Sequence, residues 1–199
     1  LNKSLNEALG QGLEGVVVKK VNSVYEPGAR GFSWVKLKRE KEEELEDTID
    51  CVVLGYYVGK GKRAEFGIGA FLVGVYNEDN DNFESISKIG TGLTDEQWRE
   101  MKSRCDEINL KDKPARVKVD KDLFPDFWVK PVMVVEILAD EITRSPIHTA
   151  GANGNESGYA LRFPRLIRWR DDKSAQQATT VVEIVQMYKG QRKTSTSFT

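Results

Sequence analysis

The residues best able to do chemistry fall into three short segments. Near the N-terminus, Glu14-Gly15-Val16-Val17-Val18-Lys19 places a carboxylate at the entry to a strand, where it can hold a divalent metal or a ribose hydroxyl. Gly15 would let a ligand approach the backbone, and Lys19 could meet a phosphate. The same hexamer also reads as an ordinary buried strand with charged ends. Further on, the strand period of Ser33 to Lys38 projects Lys36 and Lys38 from one face, with Arg30 just upstream. Three converging cations could neutralise a triphosphate, or they are the solvated charges of a half-exposed strand. The third segment runs from Leu161 to Lys173, Leu-Arg-Phe-Pro-Arg-Leu-Ile-Arg-Trp-Arg-Asp-Asp-Lys. In an uninterrupted strand, Arg162, Arg168 and Arg170 share one face and Phe163, Ile167 and Trp169 the other, with Pro164 as a point where a bulge could break the register. So many arginines suit a phosphate backbone better than a core or a generic sheet edge.

Strands must position these groups. Glu14 to Lys20 reads as a buried strand, and Glu26-Pro27-Gly28 as a turn leading into Ser33 to Lys38. Arg39 to Asp47 is almost wholly charged and reads as a solvated connector, which places a domain boundary there. Beyond it, Thr48 to Val58, Ile68 to Tyr76 and Phe83 to Ile89 are β-rich runs separated by Gly-, Asn- and Asp-rich turns. Thr94 with Gln97 forms a capping box, and Trp98, Met101 and Cys105 follow at helical spacing as a core stripe. Val132 to Leu138 and Ala160 to Trp169 supply two more strands, and a last helix opens at Thr180, with Glu183 as its capping partner, and runs to about Lys189. Three strands, a helix and two strands is the order of a small Greek-key barrel of the oligonucleotide-binding type, although strands this short leave other barrels open.

Composition narrows the class. Hydrophobic residues make up 39% and charged residues 31% of the 199, with periodic apolar segments throughout, which is a globular rather than a disordered pattern. No run approaches the roughly 18 apolar residues of a membrane span, and no membrane partner is expected. Leu1, in place of Met, with no apolar segment behind it, points to a truncated or processed chain without a signal peptide. Two cysteines without metal-ligand spacing and one histidine fit a reducing, intracellular setting. The net charge of -1 hides a segregation: from Tyr159 to Thr199 eight basic residues stand against three acidic, and the glutamates between Glu40 and Asp50 are the counterweight. His148 has no assignable carboxylate or nucleophile partner, so a structural or substrate-positioning role is expected for it.

In order and spacing the three segments resemble motifs IV, V and VI of the covalent nucleotidyltransferases, in the form found in archaeal and eukaryotic replicative-type ATP-dependent DNA ligases. Gly59-Lys60-Gly61-Lys62-Arg63, Lys88-Ile89-Gly90-Thr91-Gly92 and Ser145-Pro146-Ile147-His148-Thr149-Ala150 resemble stretches of that family's barrel, so the likeness covers nearly the whole chain. It implies a mainly β fold, with the end of an adenylation domain and a hinge over 1–46, an oligonucleotide-binding barrel over 47–192 and a flexible tail over 193–199. It implies a metal (Mg²⁺) on Glu14, contacts of Lys19, Arg30 and Lys36 with ATP or the adenylate, and catalytic roles for Lys36 and Lys38. Arg162 and Phe163 would approach a nick from the minor groove, an aromatic wedge favouring a locally opened duplex. Arg165, Arg168, Arg170 and Lys173 would help expel pyrophosphate or contact DNA, a division that the residues leave open. Lys60, Lys62 and Arg63 would face the DNA backbone; their Gly-Lys-Gly-Lys pattern lacks the spacing of a P-loop.

The departure from the family is informative. Such ligases use the lysine of a Lys-x-Asp-Gly as the nucleophile that becomes adenylated, and this chain has none. Lys118-Val119-Asp120-Lys121 comes nearest and reads as a surface turn. The expectation is therefore part of a ligase that seals nicks in duplex DNA through enzyme-adenylate and DNA-adenylate intermediates. Its partners would be nicked DNA, ATP and the N-terminal part of the same enzyme, with a sliding clamp as a further candidate, in the cytoplasm, nucleoid or nucleus. The chain alone would be inactive in self-adenylation. The alternatives are a relative of RNA ligases or capping enzymes, and a stand-alone, non-catalytic nucleic-acid-binding module.

Overall fold

The computed structural model describes residues 4–5, 7–8, 15–23, 33–38, 47–154 and 156–194, except the side chains at 36, 38 and 192–194. The chain divides into two compact units, 1–42 and 43–199. In the first, β1 (Gly15–Lys19) pairs antiparallel with β2 (Trp34–Lys38), Val17 facing Lys36 and Lys19 facing Trp34. The expectation of a buried strand is corrected here: Val17 is 48% exposed, because β2 pairs along an edge of β1 and a ribbon of two strands leaves side-chain faces uncovered among the described residues.

The second unit is built on β3 (Ile49–Tyr57), β4 (Ala70–Asn77) and β5 (Asn82–Ile89), an antiparallel meander. Helix α1 (Asp95–Glu107) follows, opened by the expected Thr94–Gln97 capping box. Its Trp98, Met101 and Cys105 enter the core, with Trp98 edge-on to Phe71. Short strands β6 (Asn109–Leu110), β7 (Val117–Lys118) and β8 (Phe127–Val129) lead to β9 (Val134–Leu138) and β10 (Glu141–Ser145), which return as β11 (Gly158–Arg162) and β12 (Arg165–Trp169). The main sheet runs β12-β9-β3-β4-β5-β7, with β8 also on β3. β3 is central and closed to water on both faces. Cys51 and Val53 enter one apolar cluster while Val52 and Leu54 enter the other, which is why its sequence is an unbroken apolar run after Asp50.

Of the last two expected strands, Val132 to Leu138 forms β9 unbroken, Ala160 to Trp169 is broken into β11 and β12, and β10 is a strand that the sequence reading did not include. β9 and β10 pair with β12 and β11 as one long hairpin that bends at Asp140 and at Phe163-Pro164. The bend carries β10 and β11 out of the main sheet. The loop between them then reaches β5, where the N–H groups of Thr149 and Ala150 donate to the carbonyl of Ser85 and the N–H of Gly151 donates to buried Glu84. The result is the curled barrel of oligonucleotide-binding type that the strand order implied. Helix α2 (Val181–Thr194) opens at the Thr180–Glu183 capping box and outlasts its expected end near Lys189. Gln191 anchors the added turn, its amide accepting from the N–H and donating to the C=O of Ile142. Lys118 to Lys121 is the end of a two-residue strand and the start of a short 3₁₀ turn, as its reading as a surface turn requires.

Gly158 marks the tightest approach in the hairpin, since a Cβ there would lie 2.0 Å from the carbonyl oxygen of His148. Gly158→Ala therefore forces the β10–β11 loop outward and is expected to cost about 1–3 kcal/mol, measured as a drop in the urea midpoint without a change in its slope.

Candidate nucleic-acid interface

The bend at Phe163 shapes the basic strand. Proline withdraws a ladder donor and biases the residue before it away from helical backbone, yet Phe163 has φ +52° and its side chain is 60% exposed. A left-handed aromatic residue before proline is strained and has no core contact to compensate it. Arg162 lies over its ring at 5.1 Å, and among the described residues it has no carboxylate partner. After the bend the register shifts again between Leu166 and Arg168. This corrects the expected division of faces. Leu166 takes the core position, Ile167 is turned outward at 45% exposure, and Trp169 alone of its expected trio is packed against the core.

The other cations of the segment are engaged. Arg165 pairs with Asp140 at 2.9 Å, and Arg168 donates its Nε to Glu136. Arg170 spans both oxygens of Asp50 at 3.1 and 3.0 Å and places Nε and Nη2 on Asp172 at 2.9 and 2.8 Å, while Lys173 donates to Asp50 as well. Hydrogen bonds from Thr48 and then Arg168 hold the Glu136 carboxyl below its ordinary range, and that from Arg170 does the same for Asp172. Asp50 entered the sequence reading only as the end of an acidic stretch, and Glu136 not at all. The available signal was an acid set inside an apolar run, Ile49-Asp50-Cys51-Val52-Val53-Leu54 for one and Val134-Val135-Glu136-Ile137-Leu138 for the other.

The β3–β4 connection adjoins this strand. Lys60 and Lys62 are exposed at the mouth of a 3₁₀ turn, Gly61–Phe66. Arg63 is folded back, donating to the carbonyls of Gly69 and Gly90 and lying 5.1 Å from the Trp98 ring centre, so it ties the β3–β4 and β5–α1 loops together. Gly92, at φ +87°, leaves room for Arg165, whose Cγ lies 3.5 Å from the point where a Cβ would stand. Arg63 thus joins the β3–β4 turn that carries Lys60 and Lys62 to the β5–α1 loop, and Gly92 of that loop lies against Arg165 at the start of β12. Arg99 of α1 lies 5.2 Å over the ring of Phe66 in the same turn, a contact that nothing in the local sequence distinguishes from a solvated helix residue.

In the first unit, Lys19 lies 4.1 Å over the Trp34 ring. Glu14 and Arg30, and the side chains of Lys36 and Lys38, lie outside the described residues. Among the described residues no group of three His, Cys, Asp or Glu side chains is placed to hold a metal. No helix among them is long and apolar enough to cross a membrane.

Residues 64–173, more than half of the chain, match the family described as the C-terminal region of ATP-dependent DNA ligases, and residues 1–38 match the ATP-dependent DNA ligase domain. The chain belongs to the ATP-dependent DNA ligase family. It is 52% identical over 188 residues to a probable DNA ligase of Dictyoglomus turgidum and 42% identical over 192 residues to a DNA ligase of Sulfolobus acidocaldarius, covering 94% of this chain and 32% of each relative. The chain thus spans about a third of the length of these ligases. Among solved structures it resembles the ligase domain of M. tuberculosis LigD, with a TM-score of 0.50, 25% identity, and coverage of 88% of this chain and 50% of that one.

Two outcomes follow for this ligase chain. Phe163→Gly relieves the left-handed strain and should raise unfolding free energy by about 1 kcal/mol, whereas Phe163→Ala, which keeps a Cβ, should not; urea titration of both separates strain from side-chain loss. His148 lies between β10 and β11 with Nδ1 buried and unpartnered among the described residues, and burial pushes its pKa down from 6.5 to about 4. The unfolded chain therefore takes up this proton first, and stability is lost as pH falls from 6.5 toward 4 while remaining intact above it. Melting temperatures across that range should fall less steeply for His148→Gln than for wild type.

Proposed function

We propose that the protein containing this chain seals nicks in duplex DNA, with ATP as the adenylyl donor, and that this chain contributes one wall of the nucleotide pocket and the barrel that grips the nick. Residues 1–46 are read as the end of the adenylation domain and hinge, 47–192 as the barrel and 193–199 as a tail. The division into compact units at Glu42 supports the first boundary. Glu14 as the site for Mg²⁺, Lys19, Arg30 and Lys36 on the nucleotide, and Lys36 and Lys38 in catalysis remain part of the proposal, as does a sliding clamp as partner. Mg²⁺ would offset phosphate charge during transfer. The chain has no Lys-x-Asp-Gly, so alone it is inactive in self-adenylation.

The observation that carries the reading is Phe163 itself. A well-exposed aromatic held in strained backbone beside an uncommitted arginine is costly unless it meets a ligand, and an apolar side chain entering a base step from the minor groove is such a use. Lys60 and Lys62, exposed at the β3–β4 turn, supply phosphate contacts, with Arg63 shaping the loop that bears them.

The test is binding to nicked, intact and single-stranded DNA of equal length across a salt series. Wild type should prefer the nick, Phe163→Ala should remove that preference with little change in salt slope, and Arg162→Ala should lower the slope by about one. Equal wild-type binding to all three DNAs would leave a general phosphate-binding barrel and defeat the nick assignment.

A further inference from the structure

Asp50 and Glu136 are two acids that nick gripping does not use. They face each other directly across the β3–β9 ladder, and their side chains are only 11% and 12% exposed. Like charges placed opposite one another weaken a sheet unless cations lie between them. Here three cations do, all from β12 and the turn after it, and they are held in two different ways. Glu136 takes only the Nε of Arg168, and neither Nη has a partner among the described residues; the side chain is 62% exposed. Asp50 takes one donor of the Lys173 ammonium, which has three. Arg170 is the opposite case, with every nitrogen of its guanidinium committed to Asp50 or Asp172 and the side chain 15% exposed.

We infer that Asp50 and Glu136 are positioning residues for phosphate: they hold Lys173 and Arg168 by their inner donors and leave the outer donors open to a phosphate, while Arg170 neutralises the acid pair and does not touch the ligand. The inference rests on reading β12 as a phosphate-binding strand. It assigns separate roles to cations that look equivalent along the chain. The ligand is a phosphate group, either the polyphosphate of a nucleotide or the backbone of DNA. If the acids served only to cancel surplus charge, removing one would strengthen phosphate binding. Positioning requires the reverse.

The 199-residue chain, wild type and with Arg168→Ala, Arg168→Lys or Glu136→Ala, is titrated with sodium tripolyphosphate and with nicked duplex DNA at one salt concentration. Arg168→Ala should weaken binding of at least one probe by about tenfold, the scale of a lost charge-assisted contact. Arg168→Lys keeps the charge but loses both the Nε anchor and the outward fork, and should cost nearly as much. Glu136→Ala should weaken binding although it removes a negative charge. Loss with tripolyphosphate alone assigns the pair to the nucleotide, loss with DNA alone to the backbone, and loss with both to a shared site. Arg168→Lys binding both probes like wild type, or Glu136→Ala binding more tightly, overturns the positioning role. If Arg168→Ala changes neither probe, β12 does not bind phosphate there, and the underlying reading fails with the inference. Because Arg168 is largely exposed, its variants keep the fold, and the outcome does not depend on Glu136→Ala remaining folded.

Discussion

Two carboxylates placed opposite one another near the start of the central strand set the terms for much of this barrel. Asp50 and Glu136 are too buried to be relieved by water and too close to be left without countercharge. Such a cluster contributes little net stability compared with apolar packing, but losing one partner leaves a costly buried charge. The cations come from β12 and from the turn beyond it, so the ion pairs fasten the last strand to the first strand of the sheet through β9. The backbone of Asp50 also exchanges hydrogen bonds with Thr179, its N–H donating to the Thr179 hydroxyl and its C=O accepting from the Thr179 N–H. The segment entering α2 is thereby tied to the same residue.

A second constraint acts at the other end of β12. The long hairpin must leave the main sheet to reach β5, and it bends where Pro164 cannot continue the ladder. The strain falls on Phe163, next to Arg162, the one arginine of the segment without a carboxylate partner among the described residues. Closure of the barrel and presentation of the aromatic side chain therefore come from one backbone event. The ion-paired cations Arg165, Arg168, Arg170 and Lys173 and the unpaired Arg162 with Phe163 share one short stretch of chain, and of the paired ones Arg168 and Lys173 also keep outward donors.

Much of the architecture was legible because it is encoded locally. The capping boxes at Thr94 and Thr180 announced their helices, the Trp98, Met101 and Cys105 stripe announced a buried face, and the apolar run after Asp50 announced a strand, though not its central place in the sheet. The bend was partly legible, since Pro164 marked a break, but the shift at Ile167 was not. It depends on how β12 pairs with β9, a partner 27 residues away at its nearest pair, Leu138 and Arg165. The acids were illegible for the same reason. Asp50 and Glu136 become a pair only when the sheet forms, and arginines that look like a bare basic strand in sequence acquire partners up to 120 residues distant. In the first unit, residues that carry the nucleotide reading, Glu14 and Arg30 among them, lie outside the described structure, and their assignment rests on resemblance.

The amide of Gln191 has a consequence for the barrel's margin. It occupies the outward N–H and C=O of Ile142, two of the groups through which β10 would recruit another strand. A single uncharged side chain thus answers donor and acceptor together and ends the sheet without an extra strand. Such a lock is indifferent to ionic strength, unlike the charged clasp around Asp50. In concentrated salt, where electrostatic fastenings slacken, this edge stays sealed against intermolecular β-pairing.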